Sequence, residues 1–191
     1  MTMTNEKIFH FFNSLFPFNQ EGLKEFAASF ETKTYPKNTL IIQQESIVKK
    51  LMFLSSGSLR EFFAKDDKEM NTDFFVKPQF INDFYSLMHA TPTKKNIQTL
   101  TEVTVLELNI DVFHDFLERY QCGKNFVDEI FKDIIAKKED EEFKHFSLTP
   151  DELYLDLLSN KPEWLQEIPL YHIATYLRMT PETLSRIRKR N

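Results

Sequence analysis

Three glycines, Gly22, Gly57 and Gly123, serve all 191 residues of this chain. A phosphate-cradling loop or a dinucleotide fingerprint needs several glycines close together, so that backbone amides can approach the phosphates. Both are excluded. The single cysteine, Cys122, has no partner for an internal disulfide, which suits a reducing compartment. No stretch approaches the ~20 apolar residues that a membrane span requires. The opening MTMTNEKIFHFFNSLF carries an acid beside its early lysine and lacks a signal-peptide apolar run, so a cytoplasmic protein is expected. The histidines, His10, His89, His114, His145 and His172, are scattered without metal-ligand spacing. They read as surface or packing residues. Neither a catalytic residue nor a metal site nor a cofactor is expected. A metal-dependent barrel enzyme would need His and Glu clustered on neighbouring strands, and residues 34–108 hold only His89.

What is present is ample apolar material, 41 % of the residues with 20 Phe, and a net charge of -5. A globally acidic chain can meet nucleic acid only through a local basic patch. The length fits a core domain plus a small appendage. Two helical runs are expected before residue 31. Ile8, Phe11, Phe12 and Leu15 recur at helical spacing, as do Leu23, Phe26, Ala27 and Phe30, and Pro17 divides the runs. Residues 34–108 change texture. Leu51 and Phe53 alternate with Met52 and Leu54. Leu59, Glu61 and Phe63 alternate with Arg60 and Phe62. Val103 and Val105 flank Thr104, and Leu106 and Leu108 flank Glu107. Short strands separated by polar turns such as SSGS and AKDDKEMN indicate a barrel or jelly roll. The segment FINDFYSLMHATPTKKN breaks the rhythm and is read as a short helix followed by a loop holding Pro92.

From Asp111 the pattern is helical. Val127, Ile130, Phe131, Ile134 and Ile135 form a stripe that runs into KKEDEEF. Such a helix packs either on its own barrel or on a second copy of the chain. Thr149, Pro150 and Glu152 have the spacing of a capping box with proline at the first helical position, and Leu153, Leu155, Leu157 and Leu158 supply the apolar side of that helix. These signals predict an α+β chain: a β jelly-roll domain over 1–110, a long connecting and dimerisation helix over 111–146, and a helical domain over 147–191.

The final residues, IPLYHIATYLRMTPETLSRIRKRN, carry the functional signal. Pro169 opens a helix with Ile173 and Leu177 on one face and the small Ala174 beside them, Met179 lies in a turn, and Thr180 caps a second helix with Pro181 at its first position. Leu184 and Ile187 point back into the pair. This is helix-turn-helix spacing, which places one helix in the major groove of DNA while its neighbour braces it. The outward face holds Glu182, Ser185, Arg186 and Lys189. Arg186 suits guanine and Glu182 cytosine. Thr180, Thr183, Arg188, Lys189 and Arg190 suit phosphates. The competing explanation is a surface pair between Glu182 and Arg186, four residues apart, at a helix end whose basic charge complements the dipole.

The chain resembles the Crp/Fnr family of bacterial transcription regulators, in particular the short members found in Bacteroidetes-type bacteria. The resemblance is carried by IPLYHIATYLRMTPETLSRIRKR, where Glu182 to Ile187 correspond to the recognition-helix core, and by LMFLSSGSLREFF, which is similar to the family's glycine-turn hairpin with Gly57 in the turn. It implies a cyclic-nucleotide-binding-like domain, a homodimer and double-stranded DNA as partner. The family's cAMP-binding members use a Gly-Glu pair and then an Arg followed by small residues. The matching places here are Asn82 and Asp83 and, across the loop, Thr93, Lys94 and Lys95. Asp83 is a carbon shorter than Glu, and Lys94 lacks the guanidinium fork. The pocket is expected to be degenerate and poor for cAMP, taking a different small-molecule effector or none; Lys94 and Lys95 equally suit a solvated pair. Arg178 stands where glycine is usual in the turn, which makes a left-handed backbone there less easy. The chain ends just past the second helix, so a C-terminal wing is not expected, and one cysteine cannot hold an iron-sulfur cluster. The alternative is a ligand-binding or protein-interaction module that has lost DNA binding.

Overall fold

The computed structural model describes residues 6, 8, 9, 13, 20–121 and 123–190. Phe11, Phe12, Leu15 and Pro17 lie outside the described residues, as do the side chains of Val127 and Ile130. Helix α1 (Gln20–Ala28) precedes eight strands: β1 (Glu31–Tyr35), β2 (Leu40–Ile42), β3 (Lys50–Ser56), β4 (Leu59–Lys65), β5 (Lys68–Phe75), β6 (Gln79–Phe80), β7 (Asn96–Thr99) and β8 (Val103–Asn109). The short helix α2 (Phe84–His89) sits between β6 and β7. The strands form a sandwich of two four-stranded sheets, ordered β1-β8-β3-β6 and β2-β7-β4-β5, and every pairing is antiparallel.

The sandwich core joins Leu51, Phe53, Leu59, Ile97, Val105 and Leu106 to Phe26 of α1 and Phe113 of the next helix. The expected alternation in β3 is absent: Leu51, Met52, Phe53 and Leu54 are all buried. One side of this central strand faces the core, while α3 (Ile110–Arg119) also packs on β3. In β4, Phe63 is exposed although Leu59 and Glu61 are buried, because the register shifts between Glu61 and Phe62 and breaks the period of two. The β4–β5 turn is tighter than AKDDKEMN suggests. Lys65 pairs with Lys68, Asp66 takes φ +53°, and Lys68 to Asn71 belong to β5. Gly57 is required where it stands. Its φ is +91°, and a Cβ would lie 2.4 Å from the carbonyl oxygen of Glu102.

Glu107 reads as the polar member of an alternating strand, yet it is 4 % exposed. Tyr35 donates to its carboxylate, and Lys50 Nζ lies 2.5 Å and Lys33 Nζ 3.5 Å from it. Burial alone would raise this carboxyl's pKa, but the bonds from Lys50 and Tyr35 outweigh burial and hold it below its usual value.

The helical stretch after Asn109 is two helices rather than one. Helix α3 ends near Tyr120, Gln121 takes φ +50°, and α4 spans Gly123–Ser147. Helix α5 (Pro150–Asn160) begins with the full capping box between Thr149 and Glu152. Only Leu153 and Leu157 of its leucines are buried; Leu155 and Leu158 are exposed, because the covered stripe of this helix is narrow. A further helix, α6 (Pro162–Glu167), precedes the terminal pair α7 (Leu170–Tyr176) and α8 (Pro181–Arg190). Its buried Trp164 packs edge-on against Phe74 of β5, so the second core contains sandwich residues as well as helices.

Candidate nucleic-acid interface

The terminal pair is organised around a small apolar centre. Ile173 and Ala174 are fully buried, and Leu177, Leu184 and Ile187 nearly so. Ala174 lets the helices cross closely, since a larger side chain would hold α8 away. Helix α7 ends as Leu177 N donates to Ile173 O at 2.9 Å and Met179 N to Ala174 O at 3.0 Å. Arg178 adopts φ +55°, so the left-handed turn forms without glycine there. Thr180 then caps α8, accepting from Thr183 N at 3.2 Å.

With Leu184 and Ile187 turned inward, Glu182, Ser185, Arg186, Arg188, Lys189 and Arg190 are exposed. Thr183 is half-buried and accepts from Arg186 Nη2 at 3.4 Å. Glu182 and Arg186 form no ion pair among the described residues. The Glu182 carboxyl is held below its usual pKa by hydrogen bonds from its own backbone N–H and from Thr180, with Arg186 a lesser influence. Arg190 is not free: its Nη2 reaches both carboxylate oxygens of Asp151, at 2.7 and 3.0 Å. Asp151 sits in the first turn of α5. Pro150, Asp151, Thr183, Arg186, Lys189 and Arg190 line a shallow groove of about 480 Å³. Three cations and one carboxylate thus share one concave surface.

Of the residues expected to hold an effector, Asp83 and Thr93 bond one another, and Asn82 and Lys95 are held by other parts of the sandwich. Asn82 accepts from Met52 N at 2.8 Å and donates to Lys50 O at 2.7 Å, which ties β3 to the segment after β6. Asp83 caps α2, accepting from Tyr85 N and Ser86 N, and its second oxygen accepts from Thr93 Oγ1 at 2.6 Å. Lys95 pairs with Glu61 at 2.9 Å, and Thr72 donates to the other oxygen of Glu61 at 2.8 Å. Lys94 is exposed, apart from that cluster. On α4, Lys137 meets Asp73 of β5 at 2.6 Å. Glu61, Thr72, Asp73 and Lys137 were invisible as a group in the sequence, since three elements bring them together.

Residues 32–120, the strands with α2 and α3, match the model of the cyclic nucleotide-binding domain. No curated protein matches the chain. Solved structures with the same fold include FixK2 from Bradyrhizobium japonicum, 13 % identical with a TM-score of 0.72, covering 84 % of this chain and 83 % of that one. The c-di-GMP responsive global regulator CLP from Xanthomonas campestris is 16 % identical with a TM-score of 0.65, covering 90 % and 91 %. The catabolite activator protein of Thermus thermophilus is 16 % identical with a TM-score of 0.56, covering 89 % and 82 %. No described helix is long and apolar enough to cross a membrane. The chain therefore carries a cyclic nucleotide-binding domain over residues 32–120 and shares its overall fold with these proteins.

Proposed function

We propose that the chain is a sequence-specific, double-stranded-DNA-binding transcription regulator of the Crp/Fnr type that acts as a cytoplasmic homodimer. The observation that carries this reading is the orientation of α8. Its apolar residues close on Ile173 and Ala174, and its polar face, with Arg186 and Lys189, is left outward on a helix braced by α7. Residues 147–191 are the helix-turn-helix domain, 111–146 the connecting and dimerisation segment, and 1–110 the sensor domain.

Helix α4 supports the dimer. One face is tied inward by ion pairs from Lys137 to Asp73, Glu141 to Lys161, and Lys144 to Asp156. The opposite face presents Ile135, Phe143 and Phe146, at 54, 66 and 88 % exposure. Positions 135, 143 and 146 share one side of a helix, and a second copy would cover them.

The sensor domain is degenerate for cAMP. Asp83 is occupied with capping α2 and with Thr93, and Lys95 with Glu61. A nucleotide would have to displace those bonds.

The test is selection of bound duplexes with the purified protein, followed by gel shifts. A pseudo-palindromic site is expected, bound more weakly as salt rises. Arg186→Ala should flatten the preference between operator and scrambled duplex, and Lys189→Ala should weaken both alike. Absence of any shift at low salt, with and without candidate nucleotides, refutes the reading and leaves the ligand-binding or protein-interaction module.

A further inference from the structure

Helix α7 has a second partner besides α8: it lies on β5, where Asn71 and Arg60 meet His172. All three are buried, at 3, 6 and 5 % exposure. Nδ1 of His172 lies 3.3 Å from Arg60 Nη1 and 3.3 Å from Asn71 Nδ2. Neither neighbour can accept a hydrogen bond, because a guanidinium and an amide nitrogen only donate. The amide is oriented by its surroundings. Asn71 Nδ2 also faces the His172 carbonyl at 3.3 Å and Thr175 Oγ1 at 2.5 Å, and Thr175 spends its own hydrogen on that same carbonyl. Turning the amide would set its oxygen against the His172 carbonyl, which can only accept. Nδ1 therefore carries a lone pair, and the imidazole is neutral with its proton on Nε2.

The cation facing that lone pair is fixed in place. Arg60 is held by Glu69 of β5 at 2.6 Å and Gln98 of β7 at 2.9 Å, and its guanidinium lies 3.8 Å from the centre of the Phe62 ring. On α7 itself the Tyr171 ring is 3.9 Å from the imidazole. The titratable or charged groups around His172 are thus Arg60 on β4, Glu69 on β5 and Tyr171 on α7. Asn71 Oδ1 is buried with no partner among the described residues, which costs the junction stability. A proton arriving on Nδ1 would point at two donors, one of them a buried cation.

We propose that this junction is a proton-sensitive clasp, holding the terminal helix pair against the sandwich only while His172 is neutral and releasing it when Nδ1 is protonated. Burial, and then Arg60, push the His172 pKa down to about 4, with Glu69 opposing. The sign follows. A base whose pKa is lowered in the docked state takes up its proton more readily once undocked, so docking is fully favoured above about pH 6.5. It weakens by roughly tenfold per pH unit between 6.5 and 4.

The chain carries its own reporter. Trp164, its one tryptophan, is buried beside this junction, 4.9 Å from the Phe74 ring and 5.1 Å from the Tyr176 ring. The experiment titrates the full chain downward from pH 7.5, following Trp164 emission, helical circular dichroism, and the His172 resonance by NMR. The expected result is a red shift of emission below pH 6 that precedes loss of helix, with a His172 midpoint well under 6. His172→Asn keeps a neutral acceptor near Nδ1 and should remove the early step. Arg60→Met should move the His172 midpoint upward. An early step that survives in His172→Asn overturns the clasp, and so does an unmoved midpoint in Arg60→Met. If the asparagine variant does not fold, a wild-type His172 midpoint at or above 6 overturns it instead.

Discussion

Among the described residues Asp151 is the one carboxylate lining the basic groove, and its replacement by asparagine is the sharpest perturbation of the proposed DNA contact. In the free protein Arg190 Nη2 is shared between both Asp151 oxygens, at 2.7 and 3.0 Å, with the two side chains 64 and 44 % exposed. A pair that exposed is worth no more than about 1 kcal/mol. A phosphate can displace it, but only after overcoming that attachment and the repulsion from a fixed negative charge. Asp151→Asn removes both. Since 1.4 kcal/mol is tenfold, affinity should rise by up to about fivefold, equally for operator and scrambled duplex, because phosphate contacts carry no sequence. One more phosphate contact steepens the salt dependence by about 0.9 in log-log slope, so the gain at 50 mM salt should shrink about 3.5-fold by 200 mM. Asp151 also sits at the start of α5, where losing its charge costs about 0.3–1 kcal/mol of stability; thermal melting checks that the variant is folded. Fluorescence anisotropy at the two salt concentrations is the assay. An affinity unchanged at both concentrations, or a gain confined to the operator, refutes the reasoning.

Other perturbations address the remaining links. Phe143→Glu and Phe146→Glu together should convert a dimer to a monomer in analytical ultracentrifugation without loss of helix, since both side chains are exposed in the single chain. Leu184→Ala deletes a buried side chain at the centre of the terminal pair and should cost about 2–5 kcal/mol in urea unfolding, with DNA affinity falling in step. Glu107→Gln removes the charge that Lys50 and Tyr35 hold. Because its carboxyl pKa is lowered in the folded state, wild-type stability from this group is present above about pH 4.5 and lost as pH falls. The variant should therefore be less stable than wild type at pH 7 and show a flatter acid limb in denaturant titrations. Thr149→Ala breaks the capping box and should cost about 0.5–2 kcal/mol by thermal unfolding.

The local signals were readable from residue types alone. A capping box spans four residues, so Thr149, Pro150 and Glu152 announce the start of α5 by themselves. The inward set of the terminal pair, Ile173, Ala174, Leu177, Met179, Leu184 and Ile187, follows from helical period and one cap; all are buried except Met179, which is half-buried in the turn. Gly57 was legible as a turn because the flanking strands bracket it, and its positive φ supplies the reason. The errors fall where period is overridden. β3 carries apolar residues on both faces because it is covered on both, the shift at Glu61 exposes Phe63, and Leu155 and Leu158 belong to a helix with a narrow buried stripe. Helix α6 escaped because six residues hold too little period to detect, although Pro162 and Trp164 mark it.

The sequence by itself therefore determined the cap chemistry, the inward set of the terminal pair and the cationic face of the last helix, because those depend on contacts within a few residues of one another. Only the tertiary structure decided which polar groups are spoken for. Arg190 finds Asp151 39 residues away, Glu61 finds Lys95 34 away, and Arg60 meets His172 112 away. No periodicity encodes such pairs. They arise where two elements, each shaped by its own local rules, press polar side chains into the same dry space, and the cost of leaving any of them unpaired selects the arrangement.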